Sequence, residues 1–91
     1  MELKWTSKAL SDLAHLYEFL APVNKPAAAR TVQTLTKAPT ILLTNPRVGE
    51  QLFQFDPREV RRILVGQYEV RYQIQDETIY VLRLWHTRED R

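Results

Sequence analysis

Residues 68–74 read YEVRYQI, and no other stretch constrains the fold so strongly. Tyr68, Val70, Tyr72 and Ile74 fall on one face and Glu69, Arg71 and Gln73 on the other, the period of two that marks a half-buried strand. Two more strand patterns flank it at close range. Residues 59–65 (EVRRILV) precede it across Gly66-Gln67, and residues 78–86 (TIYVLRLWH) follow it across QDE. Connections this short join antiparallel neighbours. The third pattern is apolar on both faces, as expected of a central strand covered on each side.

Upstream the period changes. Residues 2–6 (ELKWT) predict a short opening strand, and Ser7 is the expected N-cap of a helix over 8–21. Leu10, Leu13, Ala14, Tyr17 and Leu20 recur at helical spacing and predict its core stripe, widened by Leu16 and Phe19. Pro22 ends it. Asn24 opens a second helix, with Pro26 in a first turn that has no use for its missing N–H. Ala28, Val32 and Leu35 form the apolar stripe. Pro39 should kink or interrupt this helix, because an interior proline removes a hydrogen bond and clashes with the preceding turn. TILL then resumes as helix, NPRVGE closes a helical hairpin, and residues 49–57 read as a looser connection.

The order β-α-α-β-β-β implies an α+β fold: a twisted, mainly antiparallel sheet with a helical hairpin packed on one face. Two helices cover one side of such a sheet. The other side should therefore lie partly open, with the strand arginines on it.

Ninety-one residues make one domain, 1–91, with a modest core. With no cysteine, disulfides and thiolate metal sites are excluded, in keeping with a reducing cytoplasm. The N-terminus lacks a secretory pattern, and no apolar run suits a bilayer. Only Gly49 and Gly66 occur, so a glycine-rich phosphate loop is absent, and the two histidines are too far apart to suggest a metal site. No cofactor and no small-molecule substrate are expected.

Charge is distributed unevenly. Every lysine lies between Lys4 and Lys37, whereas from Arg47 onward eight arginines face eight acidic residues. Arginine without lysine, in a balanced field, favours fixed multi-donor contacts over general phosphate affinity. Arg62, Arg83 and Arg88 are candidate contact residues, together with Trp85 as an aromatic anchor and His86 as an imidazole able to act as acid or base. For Arg61, Arg62, Arg71 and Arg83 the competing reading is cross-strand ion pairing with Glu59, Glu69 and Glu77. Strand parity puts Arg71 beside Glu69, and Arg83 on a face with Val81 and Trp85. Tyr68, Tyr72 and Tyr80 read as core packing, and His15 as a solvated helix residue.

The element order, NPRVGE, the hairpin VRRILVGQYEVRYQI and the ending VLRLWHTRED together resemble the RelE/ParE superfamily of bacterial type II toxins, above all its ParE-like branch. The resemblance implies a toxin held inactive by a cognate antitoxin. For the ParE branch it implies DNA gyrase as target, bound and stalled in its cleaved-DNA state without chemistry of the toxin's own. The alternative it implies is a RelE-like endonuclease acting on mRNA in the ribosome. A third is a relative that only binds its antitoxin. RelE-like cleavage needs cationic residues on the sheet and a tyrosine beyond the last strand. Arg62 and Arg88 fall near two of the basic positions, but Glu69 stands where another arginine is expected, and the sequence closes at Arg91 without the tyrosine segment. In a nuclease, His86 would take the base's role, with Arg62 and Arg88 on the phosphate. In a gyrase inhibitor Arg62, Arg83, Trp85, His86 and Arg88 would form a recognition surface.

Overall fold

The three strands of the C-terminal third form an antiparallel meander. In the computed structural model, which describes residues 1–88, β3 (Glu59–Val65), β4 (Tyr68–Gln75) and β5 (Thr78–His86) pair in sequence order. Gly66 at φ 60° turns the first hairpin, and Asp76 and Glu77, at φ 49° and 55°, turn the second. Successive positive φ values suit the right-handed twist of a two-residue hairpin. The N-terminal strand β1 (Glu2–Trp5) joins β5 in parallel, and a two-residue strand β2 (Glu50–Gln51) pairs antiparallel with β3. Among the described residues the sheet is five-stranded, ordered β1-β5-β4-β3-β2. The α+β fold and the mainly antiparallel sheet are as the pattern predicts. The β2 strand lies in the segment expected to be loose.

Helices α1 (Ser7–Leu20) and α2 (Lys25–Lys37) pack on one face. The N-cap of α1 is Thr6, one residue before the expected Ser7: its hydroxyl accepts the Ala9 N–H at 3.2 Å. Asn24 caps α2 as expected, accepting the Ala27 N–H at 3.1 Å. At Pro39 the α-helix gives way to a 3-10 helix (Ala38–Leu43), so the interruption is real and TILL continues in the tighter form.

The main cluster joins Ala9, Leu13 and Leu35 from the helices to Val70, Val81 and Leu84 of the sheet, and a second joins Leu42, Tyr72 and Ile79. The α1 stripe is rotated from the expected one. Ala9, Leu13 and Leu16 turn inward, whereas Leu10 is 53% exposed. Tyr68 and Tyr72 pack into the core as predicted, but Tyr80 neighbours Ile79 and Val81 in an alternating strand and falls on the opposite face.

Strand parity also fails at one point on β5. Arg71 faces Arg83, but Tyr72 faces Val81, so Leu82 is an extra residue in a bulge. Val81 and Leu84 both reach the helix-side core because of it, and Arg83 and Trp85 no longer share a face with Val81. The face away from the helices is roofed in part by a short 3-10 turn, Phe53–Phe55, so it is less open than two helices alone would leave it. Val60 and Glu69 are buried there, and Leu64 is 63% exposed.

Candidate functional site

Arg62, Arg71 and Arg83 stand directly opposite one another across β3, β4 and β5. Like charges at opposed positions repel, and each guanidinium is answered by a carboxylate. Arg62 Nε donates to Glu50 at 2.7 Å and its Nη1 to Glu69 at 3.0 Å. Arg71 Nη2 donates to the other oxygen of Glu69 at 3.1 Å. Arg83 reaches off the sheet to α1, where Nε and Nη2 grip Asp12 at 2.8 and 3.1 Å. The bond to Glu50, followed by that to Glu69, pushes the Arg62 pKa above the ordinary arginine value. Arg61 turns the other way, donating to Glu59 at 2.9 Å and to the Gly49 carbonyl at 2.8 Å.

Glu69 and Trp85 are opposite one another, and both are buried. Arg71 covers them. Its guanidinium carbon lies 4.7 Å from the Trp85 ring centre and 5.4 Å from that of Phe55, so one cation lies over two aromatic rings. Its Nε is buried with no hydrogen-bond partner among the described residues.

His86 belongs to a different neighbourhood. It pairs with Tyr68, whose ring packs on the helix-side core, and the two rings meet edge to face with centres 5.2 Å apart. The Arg88 N–H donates to His86 Nδ1 at 3.1 Å, and Nε2 sits 3.0 Å from Gln67 Oε1. Accepting that N–H leaves Nδ1 without a proton, so in the neutral ring the hydrogen is on Nε2 and donates to Gln67. A groove of about 850 Å³ opens here where α1 meets the end of β5. Leu16, Phe19 and Leu20 line it from α1, with Tyr68, Trp85, His86 and Arg88 from the sheet end. Phe19 is 77% exposed.

The five candidate residues therefore form two groups. Arg62 belongs with Glu69, Arg71 and Trp85, while His86 and Arg88 sit at the sheet end, and Arg83 ties that end to α1. Of the sequence Glu89–Asp90–Arg91, which completes the polar ending, the positions lie outside the described residues. Asp12, Phe55 and Gln67 were not among the site residues expected from the sequence, where Asp12 reads as a polar helix residue and Gln67 as part of a turn. Asp12 had a readable signal, because it sits three residues after Ala9 and four before Leu16, on the flank of the true buried stripe.

Chemically, the charged groups of this arrangement are engaged with one another. Both imidazole nitrogens of His86 have partners, and a base must be open to the proton it takes. The cations nearest Glu69, Arg62 and Arg71, are matched to its two oxygens. Among the described residues no group of three or more histidine, aspartate or glutamate side chains is placed to hold a metal ion, and no helix is long and apolar enough to cross a membrane.

A sequence model of the family described as "ParE toxin of type II toxin-antitoxin system, parDE" matches residues 3–91. Among solved structures, one titled "Chromosomal ParDE TA system from P. aeruginosa" superposes with a TM-score of 0.80 at 25% identity, covering 94% of this chain and 95% of that one. No curated protein sequence matches.

Proposed function

Because this chain belongs to the ParE toxin family, and is thus the toxin of a type II toxin–antitoxin pair with an antitoxin as partner, we propose that it acts by binding DNA gyrase and holding that enzyme in its cleaved-DNA state. The observation that carries this reading is the engagement of His86. Its Nδ1 accepts a backbone N–H and its Nε2 faces Gln67, so this imidazole is used in holding the sheet end together. Glu69 supports the same reading. It places a buried carboxylate between Arg62 and Arg71, where RNA cleavage calls for unmatched positive charge around a phosphate. What remains is a surface for recognition: the groove beside Phe19, with His86 and Arg88 on its wall, and the arginine-lined face behind it.

Two assays run in parallel test the proposal. Purified protein is added to gyrase with supercoiled plasmid, and to a translating extract with a reporter mRNA. Linear plasmid with intact message is the expected result. Message cut within codons while gyrase is unaffected would overturn it in favour of a ribosome-dependent nuclease, and inertness in both would leave a protein that only binds its antitoxin.

A further inference from the structure

Asp12 extends the edge of β5 where no strand is left to do so. β1 accompanies β5 only as far as Trp5, which lies opposite Val81. The chain then turns into α1, and backbone groups farther along that edge of β5 need other partners. Thr6 supplies the first. Its N–H donates to the Val81 carbonyl at 3.1 Å, and its hydroxyl lies 2.8 and 3.1 Å from the carbonyls of Val81 and Leu82. Asp12 supplies the next. Its Oδ2 accepts the Leu84 N–H at 3.0 Å, and its two oxygens together accept the Arg83 guanidinium.

The location of this contact gives it consequence. It falls at the bulge around Leu82, where a strand changes direction and re-aims the side chains that follow. The next residues along are Trp85 and His86. Asp12 is nearly buried, with its side chain 9% exposed, so the contact is shielded from water and stronger than a surface pair. Only a carboxylate fits: it must accept from a cation at both oxygens and from an amide at one. An asparagine would turn an N–H₂ donor toward one of these donors.

We infer that Asp12 is a positioning residue, which through Arg83 and the Leu84 amide sets the course of β5 past the bulge, and so how the strand seats the buried Trp85 and presents His86 and Arg88 to the toxin's macromolecular partners. The inference rests on the reading above only in taking that strand end as a contact surface.

The test uses the full-length protein with Trp5→Phe, which leaves Trp85 as the only tryptophan. Into it go Asp12→Asn, Arg83→Gln and the two together. Three quantities are read: the emission maximum of Trp85, the affinity for the cognate antitoxin, and linear DNA formed with gyrase. Each single variant should keep the wild-type circular dichroism spectrum, shift the emission and weaken antitoxin binding by about tenfold or more. The double variant should be no weaker than either single, since both act through one contact. Unchanged emission, or shifted emission with unchanged antitoxin affinity, overturns the inference even if the melting temperature falls. Arg83→Gln leaves the Asp12–Leu84 bond in place and decides the matter if Asp12→Asn does not fold. A parent protein that never linearises DNA would count against gyrase alone, while the emission and antitoxin readings still judge Asp12.

Discussion

The guanidinium carbon of Arg71 lies 4.7 Å from the ring centre of Trp85 and 5.4 Å from that of Phe55. It is an arginine used as packing material. Planarity is what makes this possible, because a flat, weakly hydrated cation stacks where a compact ammonium does not. Arg71→Lys keeps the charge and loses the stack, and should destabilise the protein by about 1–2 kcal/mol. The midpoint of urea unfolding measures this, and a midpoint equal to wild type would contradict it.

Glu69 separates two arginines that face each other, Arg62 and Arg71. Glu69→Ala removes both charge-assisted bonds, leaving Arg71 without its carboxylate and Arg62 with Glu50 alone. Its cost should be roughly 2–3 kcal/mol in chemical denaturation. Glu50→Ala should cost under about 1 kcal/mol, since the Glu50 side chain is 63% exposed and Arg62 retains Glu69. Equal costs for the two would show that burial does not set the hierarchy.

Tyr72 bolts the loop before β2 to the sheet. Its hydroxyl donates to the Pro46 carbonyl at 2.8 Å and accepts the Gly49 N–H at 3.1 Å. Tyr72→Phe should cost about 1–3 kcal/mol. Gly49→Ala should cost more, because a Cβ there would come within 2.5 Å of the Arg62 carbonyl oxygen and 2.6 Å of the Tyr72 hydroxyl. Thermal melts of both variants give the order, and a Gly49→Ala protein as stable as wild type would refute the packing argument.

Glu59 predicts an acid dependence. Its hydrogen bonds to Arg47 above all, and then to Arg61, outweigh its burial and hold the carboxyl below the usual 4.5. A folded-state value below the unfolded one means stability that is complete above the unfolded pKa and lost as pH falls through the folded one. Urea midpoints should therefore decline below about pH 4.5. Glu59→Gln should be less stable at neutral pH and show a shallower decline. An identical slope in the variant would assign the acid dependence to other groups.

The parts of the fold legible in the sequence were those that local chemistry sets. Residues 59–86 announce a meander because alternation and two-residue turns are both short-range signals. The helical hairpin is equally plain, from Asn24 and Pro26 at one boundary and Pro39 at another. What escaped is set by distant partners. Glu50–Gln51 is a strand only because Arg61 and Arg62 lie beside it. The extra residue at Leu82 leaves no mark on composition, yet it separates Val81 from Trp85. Asp12 is an ordinary helix acid until α1 takes up its true phase and Arg83 meets it across the fold. The candidate residues were chosen from the sequence as polar and aromatic groups on the strands, but which face of the sheet each one shares with Val81 depended on the bulge at Leu82.

The action proposed for this toxin is to grip gyrase without cleavage chemistry of its own. Its most direct measurement is the amount of gyrase covalently joined to plasmid DNA after detergent quenching, as a function of added protein. The account predicts adducts that rise and saturate with the toxin and vanish when its antitoxin is added first. Adduct levels that stay at background at every concentration, with the protein folded and binding its antitoxin, would contradict it.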